Sequence, residues 1–184
     1  MLHDAYTSNR AAEVLWMKKR REVWIRPEIP SDIVAVRAVQ EAAFGRSDEA
    51  NLVDALRNDG TAIFSLVAGE AERIVGHIVL SEMRAPFRAL GLGPIAVLPE
   101  RQHNGIGSKL ILEALMRARA DAWDGVFVVG NPSYYERFGF NAHLASGFQS
   151  PHAGPYLMAL ALRAKDLPAQ TGSIEYALAF AALS

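Results

Sequence analysis

The sequence contains no cysteine. This absence excludes disulfide bonds, thiolate metal ligands and a cysteine nucleophile, and it is compatible with a reducing compartment. An excess of charge of one sign is also missing, because 19 Lys and Arg residues are matched by 20 Asp and Glu residues. With a net charge of −1, the overall electrostatics do not indicate a nucleic-acid partner.

Long hydrophobic runs are missing as well. No apolar stretch reaches the roughly 18 residues that a membrane helix needs, and the first residues lack the apolar core of a signal peptide. The 184 residues are 51% hydrophobic and 21% charged, a balance typical of one globular domain with a sizeable core. We therefore expect a soluble, cytoplasmic protein that has no membrane partner.

The start of the chain differs from the rest. It is polar at first, then briefly apolar at residues 14–16, then basic at residues 18–21. This pattern predicts an N-terminal extension over residues 1–22, either a short helix or a loose arm, followed by one domain over residues 23–184. Met17 is an alternative start of the chain, and the basic cluster is typical of a solvated face.

Hydrophobic periodicity predicts the element order β-α-α-β-β-β-α-β-α-β. Strand-like runs at residues 62–68 and 73–83 are typical of a hairpin, and the strand-helix-strand unit from Leu92 to Val129 predicts one parallel crossover. The fold class is therefore α/β of the α+β type, a single mixed and mostly antiparallel sheet flanked by helices. Ser31 is the predicted N-cap of the first helix, and residues 174–180 form either a last strand or a terminal helix.

The stretch VLPERQHNGIGSKL, residues 97–110, joins a strand to a helix predicted from Ile106 to Trp123. The first amides of a helix have no internal partner and carry partial positive charge, and glycines there let an anion approach closely. The spacing does not fit a Walker loop, and Leu110 stands where a dinucleotide fingerprint needs a small residue. From these residues alone, a phosphate site and an ordinary turn both remain open.

Two motifs of this chain resemble those of the GNAT N-acetyltransferase superfamily. QHNGIG at residues 102–107 matches its Q/R-x-x-G-x-G/A element, which holds the pyrophosphate of acetyl-coenzyme A, and YYERFGF at residues 134–140 resembles its element near the acetyl group. Together with GPIAVLPE at residues 93–100, they are similar to the YhbS-like subgroup of predicted bacterial acetyltransferases. The resemblance covers the chain from about Val23 onward and implies the GNAT fold, with acetyl-coenzyme A as co-substrate.

The resemblance also implies which residues bind that co-substrate. The pantetheine arm carries amides that pair with a strand edge as an extra β-partner, and Pro94 fits a place where sheet pairing is interrupted. The implied cofactor-binding residues are Ile95, Ala96, Val97, Gln102, His103, Asn104, Gly105, Ile106, Gly107, Ser108, Asn131 and Tyr135.

Direct transfer from a thioester to an amine needs a proton acceptor for the amine, stabilisation of the oxyanion and a proton for the departing thiolate. By resemblance, Tyr135 is the general acid, and Tyr134 is packing or pocket wall. The alternative for Tyr135 is a buried aromatic that packs against Phe138 and Phe140.

The general base is less evident, because the predicted strands GLGPIAVL and GVFVVG contain no carboxylate. His77 is a candidate, since an imidazole titrates near pH ~6.5, and it shares a strand face with Val75, Val79 and Ser81. Its alternative is a hydrogen-bonded structural histidine, and Glu82 and a water relay are further candidates for the base.

The acceptor is an unidentified primary amine, small or carried on a peptide. We expect it between the region Phe44 to Leu56 and the loop His143 to Pro155, where His143 and His152 are candidate lining residues. The histidines are too scattered for a metal site, so we expect no metal, and homodimerisation stays open. The alternatives are a non-catalytic acyl-coenzyme A sensor, which the missing strand carboxylate favours, and a mononucleotide-binding protein.

Overall fold

A computed structural model of the protein describes residues 22–183. The predictions of an N-terminal extension and of a start at Met17 fall largely on residues 1–21, which lie outside the described part. The strands are β1 Val23–Pro27, β2 Ala62–Glu70, β3 Arg73–Met83, β4 Ala89–Val97, β5 Gly125–Val129, β6 Phe148–Gln149, β7 Leu157–Ala161 and β8 Gly172–Ser173. The α-helices are α1 Ile33–Phe44, α2 Asp48–Asn58, α3 Ile106–Ala120, α4 Pro132–Tyr135 and α5 Ala142–Ala145.

A six-stranded sheet in the order β1-β2-β3-β4-β5-β7 forms the centre of the fold. Its neighbours are antiparallel except for β4 and β5, which are parallel because α3 connects them as a crossover. This architecture confirms the predicted fold class. One face of the sheet is covered by α3, whose apolar stripe is buried as predicted: Ile106, Leu110, Ile111, Ala114, Leu115 and Ala118. The other face packs against α1 and α2.

The sheet opens between β4 and β5. The two strands pair only where Ala89 to Gly91 lies beside Gly125 to Phe127. On its other edge, β4 carries one extra residue relative to β3, because Ile78 and Leu80 are paired with Ile95 and Leu92. This irregularity spans Gly93–Pro94 and reverses the side-chain alternation of β4. Beyond Gly91, one edge of β4 therefore has no strand partner within the sheet.

The start of α1 differs from the prediction that Ser31 caps it. A 3-10 turn over Pro30–Asp32 precedes the helix, and no side-chain cap is present. The carboxylate of Asp32 instead accepts a hydrogen bond from the amide of Ile29 at 2.9 Å and pairs with Arg26. The prediction that Ser31 caps the helix is therefore wrong. The side chain of Asp32, one residue later, accepts the hydrogen bond from the backbone that leads into the helix.

The end of the chain is neither a long strand nor an α-helix. Gly172–Ser173 forms the short strand β8, which pairs in parallel with β6 in a separate ladder. Residues Leu178–Ala182 then form a 3-10 helix that packs near α2. Because the segment is short and attaches through two-residue strands, its apolar pattern did not specify either regular element.

His77 lies in the core beneath α1 and is fully buried. Its Nδ1 is 2.9 Å from Nε2 of Gln40, and its Nε2 is 2.8 Å from Oγ of Ser65. With the amide of Gln40 donating to Nδ1, the ring proton sits on Nε2 and is donated to Ser65, which in turn hydrogen-bonds Glu28. Burial lowers the pKa of His77, so the folded protein holds this ring neutral.

This burial makes stability depend on pH. Below about pH 6.5 the unfolded chain protonates residue 77 while the folded protein does not, so protons favour unfolding. We expect the free energy of unfolding to fall by about 1 kcal/mol from this group between about pH 7.5 and about pH 5.5. Urea titrations of the wild type and of His77→Gln measure it, and the variant should lose this part of the slope.

The matched control is His143→Gln, which removes an exposed histidine and should keep the wild-type slope. Burial alone would raise the pKa of Glu28, but the neighbouring His77 ring and a hydrogen bond from Ser65 bring it below its usual value. The stabilisation that comes from the ionised carboxyl of Glu28 is therefore lost only at a pH below this range. An unchanged slope in His77→Gln would contradict the prediction.

Candidate active site

The start of α3 is an uncapped helix N-terminus. Gly105 is its N-cap with a φ of 76° and makes no side-chain cap hydrogen bond. The first intrahelical bond joins the amide of Lys109 to the carbonyl of Gly105 at 3.0 Å. The amides of the preceding helical residues, Ile106 to Ser108, are therefore free to bind an external acceptor, and the helix dipole adds positive potential there.

A cavity of about 610 Å³ lies between this helix start and β4. That volume is in the range of sites that hold small ligands. Its walls bring together the strand and the loop that the sequence predicted as one site. The lining residues are Ile95, Ala96, Val97, Arg101, Gln102, His103, Gly105, Ile106, Gly107, Ser108, Tyr134 and Arg137.

Three residues predicted to bind cofactor do not line this cavity. The side chain of Asn104 donates to the carbonyls of Arg101 and Gln102 at 3.3 and 3.0 Å, which braces the loop. Asn131 caps α4, where its side chain accepts a hydrogen bond from the amide of Ser133 at 3.0 Å. Asn104 and Asn131 therefore support the local backbone. Tyr135, the third residue, lies next to the strand gap.

Arg137 is a cavity residue that the sequence reasoning missed. Its Nη2 donates to Oγ of Ser108 at 3.1 Å, and its guanidinium lies 4.1 Å from the ring centre of Tyr134. Within residues 22–183 Arg137 makes no ion pair, whereas Arg101 pairs with Glu70. Arg137 follows Tyr134 by about one helical turn, and this spacing in the sequence indicates that the two side chains share a face.

Tyr134 forms the wall of the cavity opposite β4. A Cβ atom added to Gly107 would lie only 2.8 Å from the hydroxyl of Tyr134. The absence of a side chain at Gly107 is therefore required for the tyrosine to reach the start of α3. This contact ties the motif at residues 134–140 to the loop at residues 102–107.

Tyr135 is the last residue of α4 and packs against Gly130, which directly follows β5. Its ring packs where a side chain of Gly130 would otherwise be, since a Cβ there would fall 2.4 Å from the ring. The ring of Phe140 lies edge-on with a centroid distance of 5.8 Å. Burial raises the pKa of Tyr135 to about 12, so the phenol keeps its proton near neutral pH.

His77 does not reach this cavity. Its side chain points to the face covered by α1, and both ring nitrogens are engaged by Gln40 and Ser65. In this position it has no path to an amine in the strand gap. The geometry corresponds to the structural alternative named for it, a hydrogen-bonded core histidine.

Of the two loop histidines, His143 is exposed on α5. The ring of His152 lies edge-on to that of Tyr176, with a centroid distance of 5.6 Å. Glu82 is exposed near the end of β3.

A larger cavity of about 760 Å³ lies beside β1 and the β2–β3 turn. Several of its polar side chains already have partners, because Arg26 binds Asp32 and Nε1 of Trp24 donates to the carbonyl of Ala71 at 2.8 Å. None of the predicted site residues lines it. We therefore place the functional site at the smaller cavity, where backbone donors remain free.

In the described part of the chain, no three side chains of His, Asp or Glu are grouped to hold a metal ion. Over residues 22–183, none of the helices combines the length and apolar character needed to span a membrane.

Known proteins are similar to this chain in sequence and in fold. The family model for the acetyltransferase (GNAT) domain matches residues 61–142. The N-acetyltransferase YjhQ of Escherichia coli K12 is 37% identical over 134 residues, which are 68% of this chain and 74% of YjhQ. The N-acetyltransferase YhbS of the same strain is 30% identical over 158 residues, 83% of this chain and 95% of YhbS.

Two solved structures are similar to this chain in fold. A GNAT family acetyltransferase from Brucella melitensis, in complex with acetyl-CoA, is 37% identical with a TM-score of 0.75, over 86% of this chain and 98% of that one. YhbS from Escherichia coli, in complex with CoA, is 28% identical with a TM-score of 0.81, over 86% of this chain and 92% of that one.

The domain match and the relatives show that this protein is an acyltransferase. The chain belongs to the GNAT family of N-acetyltransferases, which confirms the resemblance seen in its two motifs.

The cavity geometry predicts that Arg137 contributes to anion binding. Replacing it by alanine removes a cation 3.1 Å from Ser108, at the start of α3. We expect Arg137→Ala to weaken the binding of inorganic pyrophosphate by roughly 3–10-fold at low salt, with a smaller difference at high salt because ions screen the charge. Isothermal titration calorimetry at two ionic strengths measures both effects.

Arg119→Ala is the matched control, since Arg119 is exposed in the last turn of α3 and carries the same charge. It should bind pyrophosphate like the wild type. Equal losses in both variants would show that only the overall charge matters.

Proposed function

We propose that this protein binds acetyl-coenzyme A between β4 and α3 and transfers its acetyl group directly to a primary amine. The observation that carries the proposal is the opening of the sheet beyond Gly91, where β4 keeps a free backbone edge that leads to the uncapped start of α3. We propose residues 23–184 as the catalytic domain, preceded by an extension.

The cavity fits the chemistry of the co-substrate. The free amides at the start of α3 and the guanidinium of Arg137 provide donors for a pyrophosphate. The backbone of Ile95 to Val97 offers an edge to which pantetheine amides can pair. The complexes of the Brucella protein with acetyl-CoA and of YhbS with CoA support this assignment.

Tyr135 is the proposed general acid. In direct transfer, a bond forms between the amine nitrogen and the acetyl carbon, and the bond from that carbon to sulfur breaks. The thiolate then takes the phenolic proton of Tyr135, which is later replaced from solvent. The raised pKa of about 12 keeps that proton in place until the thiolate forms.

The proton released by the amine does not pass to His77. His77 is buried beneath α1 with both nitrogens occupied, so we assign this proton to solvent in the gap. An amine that is already deprotonated then reacts, which makes the rate follow the neutral fraction of the amine.

A panel of amines tests the activity. Purified protein is mixed with acetyl-CoA and with spermidine, phenethylamine, a lysine-containing peptide or a glycyl peptide, and thiol release and acetylated product are measured together. Product formation supports the proposal. Tight binding of coenzyme A without any transfer would favour the sensor alternative, and stronger thermal protection by ATP than by coenzyme A would favour a mononucleotide-binding protein.

The role of Tyr135 predicts a specific kinetic loss. Tyr135→Phe keeps the ring against Gly130 and removes only the proton donor. We expect kcat to fall by roughly 100-fold or more, as is typical for loss of a general acid, while the Kd for coenzyme A stays within about twofold. Tyr156→Phe, which changes an exposed tyrosine, should leave both quantities unchanged, and unaltered turnover in Tyr135→Phe would refute the assignment.

The same assignment predicts the pH profile. The rate should rise with pH as the amine loses its proton, and the Tyr135 proton should not limit it until the pH approaches about 12. No alkaline fall is therefore expected below about pH 10 in kcat/KM for the amine. A decline with a midpoint near neutral pH would point to a different acid.

A further inference from the structure

Tyr176, in the C-terminal segment, covers the point where β4 and β5 part. A Cβ atom added to Gly91 would lie 2.5 Å from the Tyr176 ring, so the ring sits directly on this glycine. Gly91 is the last residue of β4 that pairs with β5. The neighbouring Leu90 and Leu92 belong to the core beneath α3, which places Tyr176 on the opposite face of the sheet.

The hydroxyl oxygen of Tyr176 is buried and has no hydrogen-bond partner within the described chain. Oγ of Ser81 is in the same condition. Ser81 is the register partner of Gly91 on β3, and its side chain lies on the face covered by Tyr176. Buried hydroxyls without partners are rare and destabilise the fold, so two of them beside one strand gap indicate a ligand that supplies the missing partners.

The position relative to Tyr135 identifies which part of the reaction this ligand belongs to. Tyr135 packs on Gly130 in the core on the α3 face of the gap, whereas Tyr176 packs on Gly91 from the other face. Burial raises the pKa of Tyr176, and the nearby Tyr135 phenol raises it further. The two phenols therefore approach the same gap from opposite faces, with Tyr135 on the side of the cavity.

We propose that Tyr176 binds the acceptor amine and, together with Ser81, orients it toward the thioester. A neutral primary amine has two N–H groups and one lone pair. If the N–H groups donate to the oxygens of Tyr176 and Ser81, the lone pair is left free to form the bond to the acetyl carbon. This inference rests on the proposed acetyl transfer and adds the acceptor side of the same site.

The surroundings of Tyr176 favour the uncharged form of the amine. Its ring is flanked by the rings of His152 and Phe180, at centroid distances of 5.6 and 5.0 Å, and by the side chain of Met83 near Gly91. Such an aromatic and apolar lining disfavours a charged ammonium ion, because it removes the water that solvates the charge.

The segment that carries Tyr176 is anchored on both sides of the tyrosine, because Ile174 is buried and Phe180 packs near α2. It is held by the two-residue strand β8 and by paired backbone bonds of 3.0 and 2.9 Å between Arg84 and Glu175.

Tyr176→Phe tests the proposal with the best amine of the panel. We expect kcat/KM for the amine to fall by roughly 3–10-fold, the loss of one neutral hydrogen bond. The KM for acetyl-CoA and the amine-independent hydrolysis of acetyl-CoA should not change. The melting temperature should not fall either, because the variant removes an unpartnered buried hydroxyl. Ser81→Ala should act in the same direction, and Tyr156→Phe should have no effect.

The outcomes separate this inference from the function on which it rests. Transfer by the wild type with an unchanged kcat/KM in Tyr176→Phe overturns the inference alone. A parallel loss of affinity for acetyl-CoA also overturns it, because the effect would then be structural. If the wild type binds coenzyme A and acetylates no amine, the proposed function fails and the inference falls with it.

Discussion

Backbone amides and carbonyls at a sheet edge need partners, and in this protein one such edge is left open inside the fold. The parting of β4 and β5 beyond Gly91 creates a slot between two otherwise paired strands. It coincides with the extra residue at Gly93–Pro94, where a proline cannot donate to a ladder. The strands stay paired at Ala89 to Gly91, so the slot begins at a defined point in the sheet. The cavity, the helix start and the aromatic residues are all arranged around this opening.

The two faces of the opening have different chemistry. On the α3 face lie free helix amides and Arg137, which together form a positively charged end for an anionic ligand. On the other face lie the buried hydroxyls of Tyr176 and Ser81, in apolar surroundings. Tyr135 lies beside the gap on the α3 face. In the function that we propose, the charged carrier and the uncharged acceptor reach one gap from opposite sides, as direct group transfer requires.

Most of the fold could be predicted from local patterns. The order of the main elements, the parallel crossover and the buried stripe of α3 follow from periodicity, since each depends on residues close together in sequence. The start of α1 was less predictable because Arg26, on the preceding strand, holds Asp32 in place of a serine cap. The C-terminal segment was ambiguous because its structure depends on pairing with β6, far away along the chain.

By itself, the sequence determined the family, through two motifs that are each a continuous stretch of chain. It also determined the loop at residues 102–107, because that loop and its helix are built from residues that are neighbours in sequence. Only the tertiary structure decided which side chains meet there. It brought Arg137 to Ser108, set Tyr176 on Gly91 and enclosed His77 between Gln40 and Ser65. Residue types and spacing do not encode these contacts, because strand register and sheet face, fixed by packing of the whole sheet, determine where each side chain points.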